Sequence, residues 1–390
     1  MDLALRKTLL RIYHWEYLWL VLIVALTLAA HISIIKIPDQ LVLDEQHYVK
    51  DARYILANHE TQRPEHPPLA KLFIVAGITI FGDNQWGWRI PSIFMGTIGI
   101  VLFYFICRRL KLSRNVASLA TFLYGFENFT FLQASLAMLD VFMVTLMLAA
   151  FLLYLYREYI LAGVFLALSA LAKMFAALAA PTMLIHWLFS RGKRSWWFWL
   201  TAFFAPVSFI VLMPLFDFAI SRHFQNPAAR IKEMLSLMSS LTFYNTSHPA
   251  LSRPWEWVLN YKPMAYWYTP HYTGAISLSI WLLIIPTVLY MIYRAARGNE
   301  AGLFGAAWFF GTYLLWIPIS IITNRVSFIF YFYPTIGALC LGLGAGLGEA
   351  IETVSSKKMK IKAPVYALIG IFLLFHLASF VILTPVFFRS

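Results

Sequence analysis

Between residues 41 and 71 the chain gathers carboxylates and imidazoles in a short polar stretch: Asp44, Glu45 and His47, then Arg63-Pro64-Glu65-His66-Pro67-Pro68. Carboxylates so placed can accept a proton from a reacting hydroxyl or bind a divalent cation. The prolines add stiffness, because Pro locks its own φ and restrains the residue before it. Glu65 and His66 are therefore expected to be held in a fixed backbone. A solvated loop with a helix cap would use the same residue types, so the rest of the chain has to decide.

Five more ionisable residues stand inside or at the ends of apolar runs, where charge is costly and needs a reason. They are Arg89, Glu127, Asp140, Lys173 and Arg325. Each has an ordinary explanation: Lys and Arg snorkel to headgroups, and Asp caps helices. Together they offer acids for proton transfer or metal binding, and cations for a phosphate whose negative charge grows as it departs.

The elements that must position these groups are membrane helices. Of the 390 residues, 61% are hydrophobic and only 13% charged, and apolar runs of membrane-spanning length recur throughout. The runs are continuous, unlike the alternating pattern of a barrel. An all-α polytopic protein is predicted, with about eleven spans near 15–37, 89–107, 115–132, 138–156, 159–173, 174–190, 196–217, 274–293, 301–322, 326–346 and 364–384. The first run exceeds a signal-peptide core and is expected to remain as a span. Cys107 and Cys340 both fall in predicted spans, so no disulfide framework is indicated.

Basic residues orient the chain. Arg6, Lys7 and Arg11 precede the first span and place the N-terminus in the cytoplasm. Arg108, Arg109, Lys111 and Arg114 then fall in one inner loop, Arg191, Lys193 and Arg194 in another, Arg294 and Arg297 in a third, and Lys357, Lys358, Lys360 and Lys362 in the last. The net charge of +13 thus belongs to membrane topology and anionic lipid rather than to nucleic acid. Two long segments, 38–88 and 218–273, fall outside, within a single membrane domain covering 1–390. The first should hold interfacial helices at 47–59 and 69–82, with Tyr48, Ala52, Ile55 and Leu56 on one face. All the charged candidates map to this outer side.

The sequence resembles the protein O-mannosyltransferase family, among the membrane-embedded GT-C glycosyltransferases that use lipid-linked sugars. The resemblance rests on Leu43-Asp44-Glu45-Gln46-His47-Tyr48, His66-Pro67-Pro68-Leu69-Ala70-Lys71 and Phe81-Gly82-Asp83-Asn84 leading to Arg89-Ile90-Pro91-Ser92. Further pieces follow in family order: Glu127-Asn128, Leu139-Asp140, Leu171-Ala172-Lys173, and Arg325 before Tyr331-Phe332-Tyr333-Pro334.

It implies inverting transfer of mannose from a polyprenyl phosphate to a Ser or Thr hydroxyl of a protein at the outer face of the cell membrane. By that likeness Asp44 is the base, and Glu45 positions the acceptor or the loop. Lys173, Arg325, Arg89 and His66 meet the donor phosphate, while Glu65, Asp140, Glu127 and His47 shape the site or contact the acceptor. The eukaryotic members carry a lumenal repeat domain for which 218–273 is too short, which implies a minimal prokaryotic form.

Glu65 before His66-Pro67-Pro68 is also similar to the related aminoarabinose transferase that modifies lipid A. That likeness implies a divalent metal, for which Glu65 with His271 are the candidates, and a sibling reading in which the acceptor is a lipid or cell-wall glycan. A transporter or flippase also buries charge among helices, but neither the inverted repeats nor the discontinuous midplane helices common in such proteins are evident.

Overall fold

In hydrocarbon no water can satisfy a backbone amide, so the apolar runs have to close their hydrogen bonds internally as helices. The computed structural model describes residues 15–190, 194–269 and 271–387, and in it the predicted apolar stretches are mostly helical. Arg6, Lys7, Arg11, Arg191 and Lys193 lie outside the described residues. The helices are unequal. Gln85–Arg109, Phe198–Ser221, Glu300–Thr323, Ile329–Ser355 and Met359–Leu383 are each long and apolar enough to cross a membrane. Leu18–Ile34, Tyr159–Ala172, Met174–Phe189 and Ile284–Ala296 are shorter apolar helices. The fold is that of a multi-span all-α membrane protein, but the count of eleven full spans is not confirmed.

The predicted span at 115–132 shows why. It divides into Arg114–Gly125 and Asn128–Ser135, and the second piece then bends by 117° into Leu139–Leu155. Glu127 sits at the first break, fully buried, and caps the helix that follows: its carboxylate accepts from Thr130 N at 2.9 Å and from Ser277 N at 3.0 Å. A carboxylate that satisfies two buried amides is a structural fastener, so the expectation that Glu127 shapes the polar site is corrected. Glu127→Ala leaves both amides unpaired and should cost about 2 kcal/mol, read as a lower melting temperature in detergent. Affinity for a lipid phosphate should not change with it.

Leu139–Leu155 is almost wholly buried; it packs on Gln85–Arg109 and on Tyr159–Ala172, which in turn lies against Phe198–Ser221. The segment 38–88 forms two helices, Glu45–Asn58 and Pro68–Phe81. Tyr48, Ala52 and Ile55 face inward as their spacing predicts, whereas Leu56 is exposed. Pro68–Phe81 lies so close to Gln85–Arg109 that a Cβ at Gly77 would stand 2.2 Å from the Gly87 carbonyl oxygen. Only glycine permits that approach.

The segment 218–273 contributes the helices Pro227–Ser240 and Pro254–Leu259 and a small antiparallel hairpin, Met264–Trp267 with Tyr272–Gly274. Bridges Thr242–Arg325 and Leu251–Phe328 fasten this segment to the residues that follow Thr323. Backbone bonds from Phe243 N to Asn324 O (3.0 Å) and from Ser252 N to Ser327 O (3.0 Å) complete the seam.

Candidate active site

Asp44 begins the first of the outer helices without capping it. Its carboxylate accepts no hydrogen bond among the described residues, in the helix or elsewhere. The backbone is instead held by the neighbour, Glu45, whose carboxylate accepts from Val42 N at 3.0 Å across Leu43. Leu43 has φ of 43°, a sparsely populated conformation for a branched residue. The strained residue and the clamp across it turn the Asp44 side chain into a polar cavity.

Glu45 is fully buried and forms a fork with Arg89, at 3.0 Å to Nε and 2.9 Å to Nη2. It also accepts from Ala137 N at 2.8 Å. Arg89 spends its remaining donors on backbone carbonyls, including Ile35 at 2.8 Å and Pro38 at 3.0 Å. Neither side chain lines the cavity. The expectations that Glu45 is catalytic and that Arg89 holds a phosphate are therefore corrected: the pair is a buried joint between the first outer loop and two membrane helices. Positioning of the loop, also expected of Glu45, is what this geometry performs.

The cavity beside Asp44 measures about 210 Å³. Asp44, Glu65, His47, His66, Lys173 and Arg325 all line it, with Arg63 and Tyr48 between them. Just behind, Asp140 grips Lys173 Nζ at 2.7 and 2.8 Å, and the ammonium also lies 5.3 Å from the ring centres of Phe330 and Tyr331. Arg325 differs from the other cations. Its guanidinium lies 5.1 Å from the Phe175 ring, and its buried Nε and Nη1 have no hydrogen-bond partner among the described residues. Two buried donors left unpaired are expensive unless a ligand completes them, and the complement of an unpaired guanidinium is an anion.

Burial raises the Asp44 carboxyl above the ordinary carboxylate range; the nearby Asp140 adds to the effect and Lys173 opposes it. A carboxylate so raised is a stronger base when ionised. Burial, followed by the Lys173, Lys71 and Arg325 charges, pushes His66 well below its usual value. His66 is thus a neutral imidazole, so its expected share in holding a phosphate narrows from a charge to a hydrogen bond. His47 is lowered in the same way by burial and by Arg63, which meets its ring Nδ1.

The loop bearing Glu65 and His66 is pinned from two sides. Lys71, buried, donates to Thr61 Oγ1 at 2.7 Å and to the Arg63 carbonyl, and lies 3.4 Å from buried Asp51. Arg230, from the second outer segment, donates to Pro64 O at 2.6 Å and His66 O at 3.4 Å. The same helix brings Met238 toward the cavity, where Leu241 joins it.

The donor set does not fit a metal. Among the described residues no three of His, Cys, Asp and Glu form a group able to hold one. Glu65 is placed with Arg63 at 3.8 Å and His66 at 4.0 Å. His271 is exposed, bonds Thr273 Oγ1 at 2.8 Å and does not line the cavity. The expectation of a metal at Glu65 and His271 finds no support in this geometry.

Arg63, Tyr331, Met238 and Leu241 line the cavity without having been singled out as site residues. Arg63 could have been found by its place beside Glu65. The apolar members carry no signal beyond hydrophobicity.

This architecture, helices around a polar cavity walled by two outer segments, is the GT-C fold of membrane glycosyltransferases. The yeast (S. cerevisiae) protein O-mannosyltransferase Pmt1-Pmt2 complex bound to the sugar donor superposes with TM-score 0.77 at 12% identity, covering 95% of this chain and 90% of that one. ArnT from Cupriavidus metallidurans in the apo state superposes with TM-score 0.62 at 17% identity, covering 94% and 76%. Residues 65–217 match the dolichyl-phosphate-mannose-protein mannosyltransferase family.

The polyprenol-phosphate-mannose–protein mannosyltransferase of Mycobacterium tuberculosis is 34% identical over 116 residues, which is 28% of this chain and 22% of that protein. That of Corynebacterium glutamicum is 32% identical over 121 residues, 28% and 23% of the two chains. The chain thus spans less than a quarter of the curated relatives it matches. The family match thus covers 153 of the 390 residues, and the solved structures share the fold.

Proposed function

We propose that the protein transfers mannose from a polyprenyl phosphate to a Ser or Thr hydroxyl of a protein, with inversion at the anomeric carbon. The observation that carries this reading is the juxtaposition in one cavity of the Asp44 carboxylate and the buried Arg325 Nε and Nη1, all without a hydrogen-bond partner among the described residues. Asp44 takes the proton of the acceptor hydroxyl as its oxygen attacks the sugar. The bond from the anomeric carbon to the phosphate oxygen breaks, and the electron pair leaves with the polyprenyl phosphate.

The phosphodiester donor bears one negative charge and the departing monoester two. Cations at the phosphate are thus favoured more in the transition state than in the ground state, which is where stabilisation accelerates reaction. Arg325 and Lys173 fill that role, and Asp140 fixes the Lys173 ammonium. Glu65, His47 and neutral His66 shape the acceptor side. The same reading places the cavity on the outer face of the cell membrane and the N-terminus in the cytoplasm, since Arg108, Arg109, Lys111 and Arg114 cluster at the opposite helix ends.

The test is an assay of labelled polyprenyl-phosphate-mannose with a Ser/Thr peptide and with lipid and glycan acceptors. Mannosylated peptide is expected; label reaching only lipid or glycan would overturn the protein acceptor. Arg325→Ala should lower kcat by about 10²-fold, the scale seen when one preorganised transition-state donor is removed. An unchanged kcat in that variant would remove Arg325 from the phosphate.

A further inference from the structure

On the face opposite the catalytic cavity lies a second polar cavity, of about 230 Å³, that the proposed transfer does not use. Twenty residues of one helix separate Arg89 from Arg109, about 30 Å at the rise of an α-helix. The cavity forms where the ends of Gln85–Arg109, Leu139–Leu155 and Ala180–Phe189 meet the start of Glu300–Phe309. Arg109, Lys111 and Arg157 line it, with the hydroxyl-bearing Ser190 and Ser195 and the carboxylate of Glu300.

The charge balance is one-sided. Glu300 lies 3.8 Å from His186, and it is the one acid on the wall among the described residues. Arg109, Lys111 and Arg157 have no ion-pair partner among the described residues; Arg109 meets only the Tyr156 ring, at 5.1 Å. Lys111 and Arg157 are also held at φ of 66° and 68°, which favours Gly, Asn or Asp over long basic residues.

Trp196 and Trp197, 75% and 70% exposed, follow Ser195 in the chain, and the Trp196 ring centre lies 5.5 Å from that of Trp187. Trp187 lines the wall and donates to Ser195 O at 2.8 Å. Exposed tryptophans of a membrane protein mark the headgroup level, where basic pockets between helices take anionic headgroups.

We infer that this cavity is a second anion site, holding a phosphate group through Arg109, Lys111 and Arg157 at the membrane face opposite the catalytic cavity. The phosphate comes from a lipid headgroup or from solution, and the chemistry of recognition is the same. The inference does not depend on the proposed transfer.

Delipidated protein in neutral detergent, titrated with phosphatidylglycerol or phosphatidylcholine and read by native mass spectrometry, tests it. The titration is run on wild type and in an Arg325→Ala background, so that lipid in the catalytic cavity is not counted. Phosphatidylglycerol should bind about tenfold or more tightly than phosphatidylcholine, and an Arg109→Gln/Arg157→Gln variant should lose about 30-fold of that affinity. A Lys111→Gln/Arg157→Gln variant, which keeps the Arg109–Tyr156 contact, should show a similar loss should the first variant fold poorly.

In a parallel arm, inorganic phosphate is added at millimolar concentration. Displacement of phosphatidylglycerol, with a rise in melting temperature absent from the variants, assigns the site to phosphate from solution. Variant-sensitive phosphatidylglycerol binding that phosphate does not displace assigns it to lipid. Equal retention of the two lipids, or phosphatidylglycerol affinity unchanged in the folded variants, overturns the site.

Discussion

Asp44→Asn should lower the proposed mannosyl transfer by about 10²–10⁴-fold, the usual contribution of a positioned general base, while the protein inserts and folds as before. The structure makes this substitution informative. The wild-type carboxylate accepts no hydrogen bond among the described residues, so an isosteric amide breaks no fold-bearing contact. What it loses is the capacity to receive a proton. Transfer at the wild-type rate by Asp44→Asn would remove Asp44 from the base position.

The pH dependence gives a second readout. Burial raises the Asp44 carboxyl above 3.8, so as pH falls the base is protonated sooner than an ordinary carboxylate, and kcat/KM should decline on that acid limb. The sign for stability is opposite. A raised folded value means the native state binds the proton more tightly than the unfolded chain. Asp44 therefore contributes stability at low pH that is lost as pH rises through the window from the ordinary carboxylate value to the raised one. Asp44→Asn should remove both dependences, which thermal melts across that window will show.

Arg89→Ala and Glu45→Ala should each destabilise the fold by about 3–5 kcal/mol, because either leaves a charge buried without its partner. Against a typical total of about 5–15 kcal/mol, that is enough to deplete folded protein in the membrane. Arg89→Lys should not rescue, since an ammonium cannot reproduce the two-pronged bond to Glu45 or reach the several carbonyls as well. Replacing both residues with apolar ones, which often relieves a buried ion pair, should also fail here. The carbonyls of Ile35 and Pro38 and the amides of Val42 and Ala137 would remain unpaired. The measurement is melting temperature and folded yield in detergent, beside donor affinity of whatever folds. Wild-type stability with a selective loss of donor binding would return Arg89 to the phosphate.

Membrane character and helical class were legible in the sequence, as were most of the charged residues that the structure gathers around one cavity. Long apolar runs can only be helices in a bilayer, and the cost of charge there makes Asp140, Lys173 and Arg325 conspicuous. The stiff Glu65-His66-Pro67-Pro68 turn and the Asp44-Glu45 pair stood out for the same local reasons. Span lengths were less legible, because a break such as the one at Glu127 depends on a partner at Ser277, far along the chain.

Composition and spacing thus determined which residues had to be accounted for, but not what each does. Adjacent carboxylates at Asp44 and Glu45 are alike in type, and composition and spacing do not separate them. Glu45 meets Arg89 and the Ala137 amide and is saturated, whereas Asp44 turns into a cavity beside Lys173 and stays unbonded. The same contrast divides the arginines, Arg89 spent on carbonyls and Arg325 left with unpaired donors. The physical reason is that a charge is free to act on a ligand only if no partner brought by folding satisfies it first. Those partners lie on other helices, beyond the reach of any local pattern.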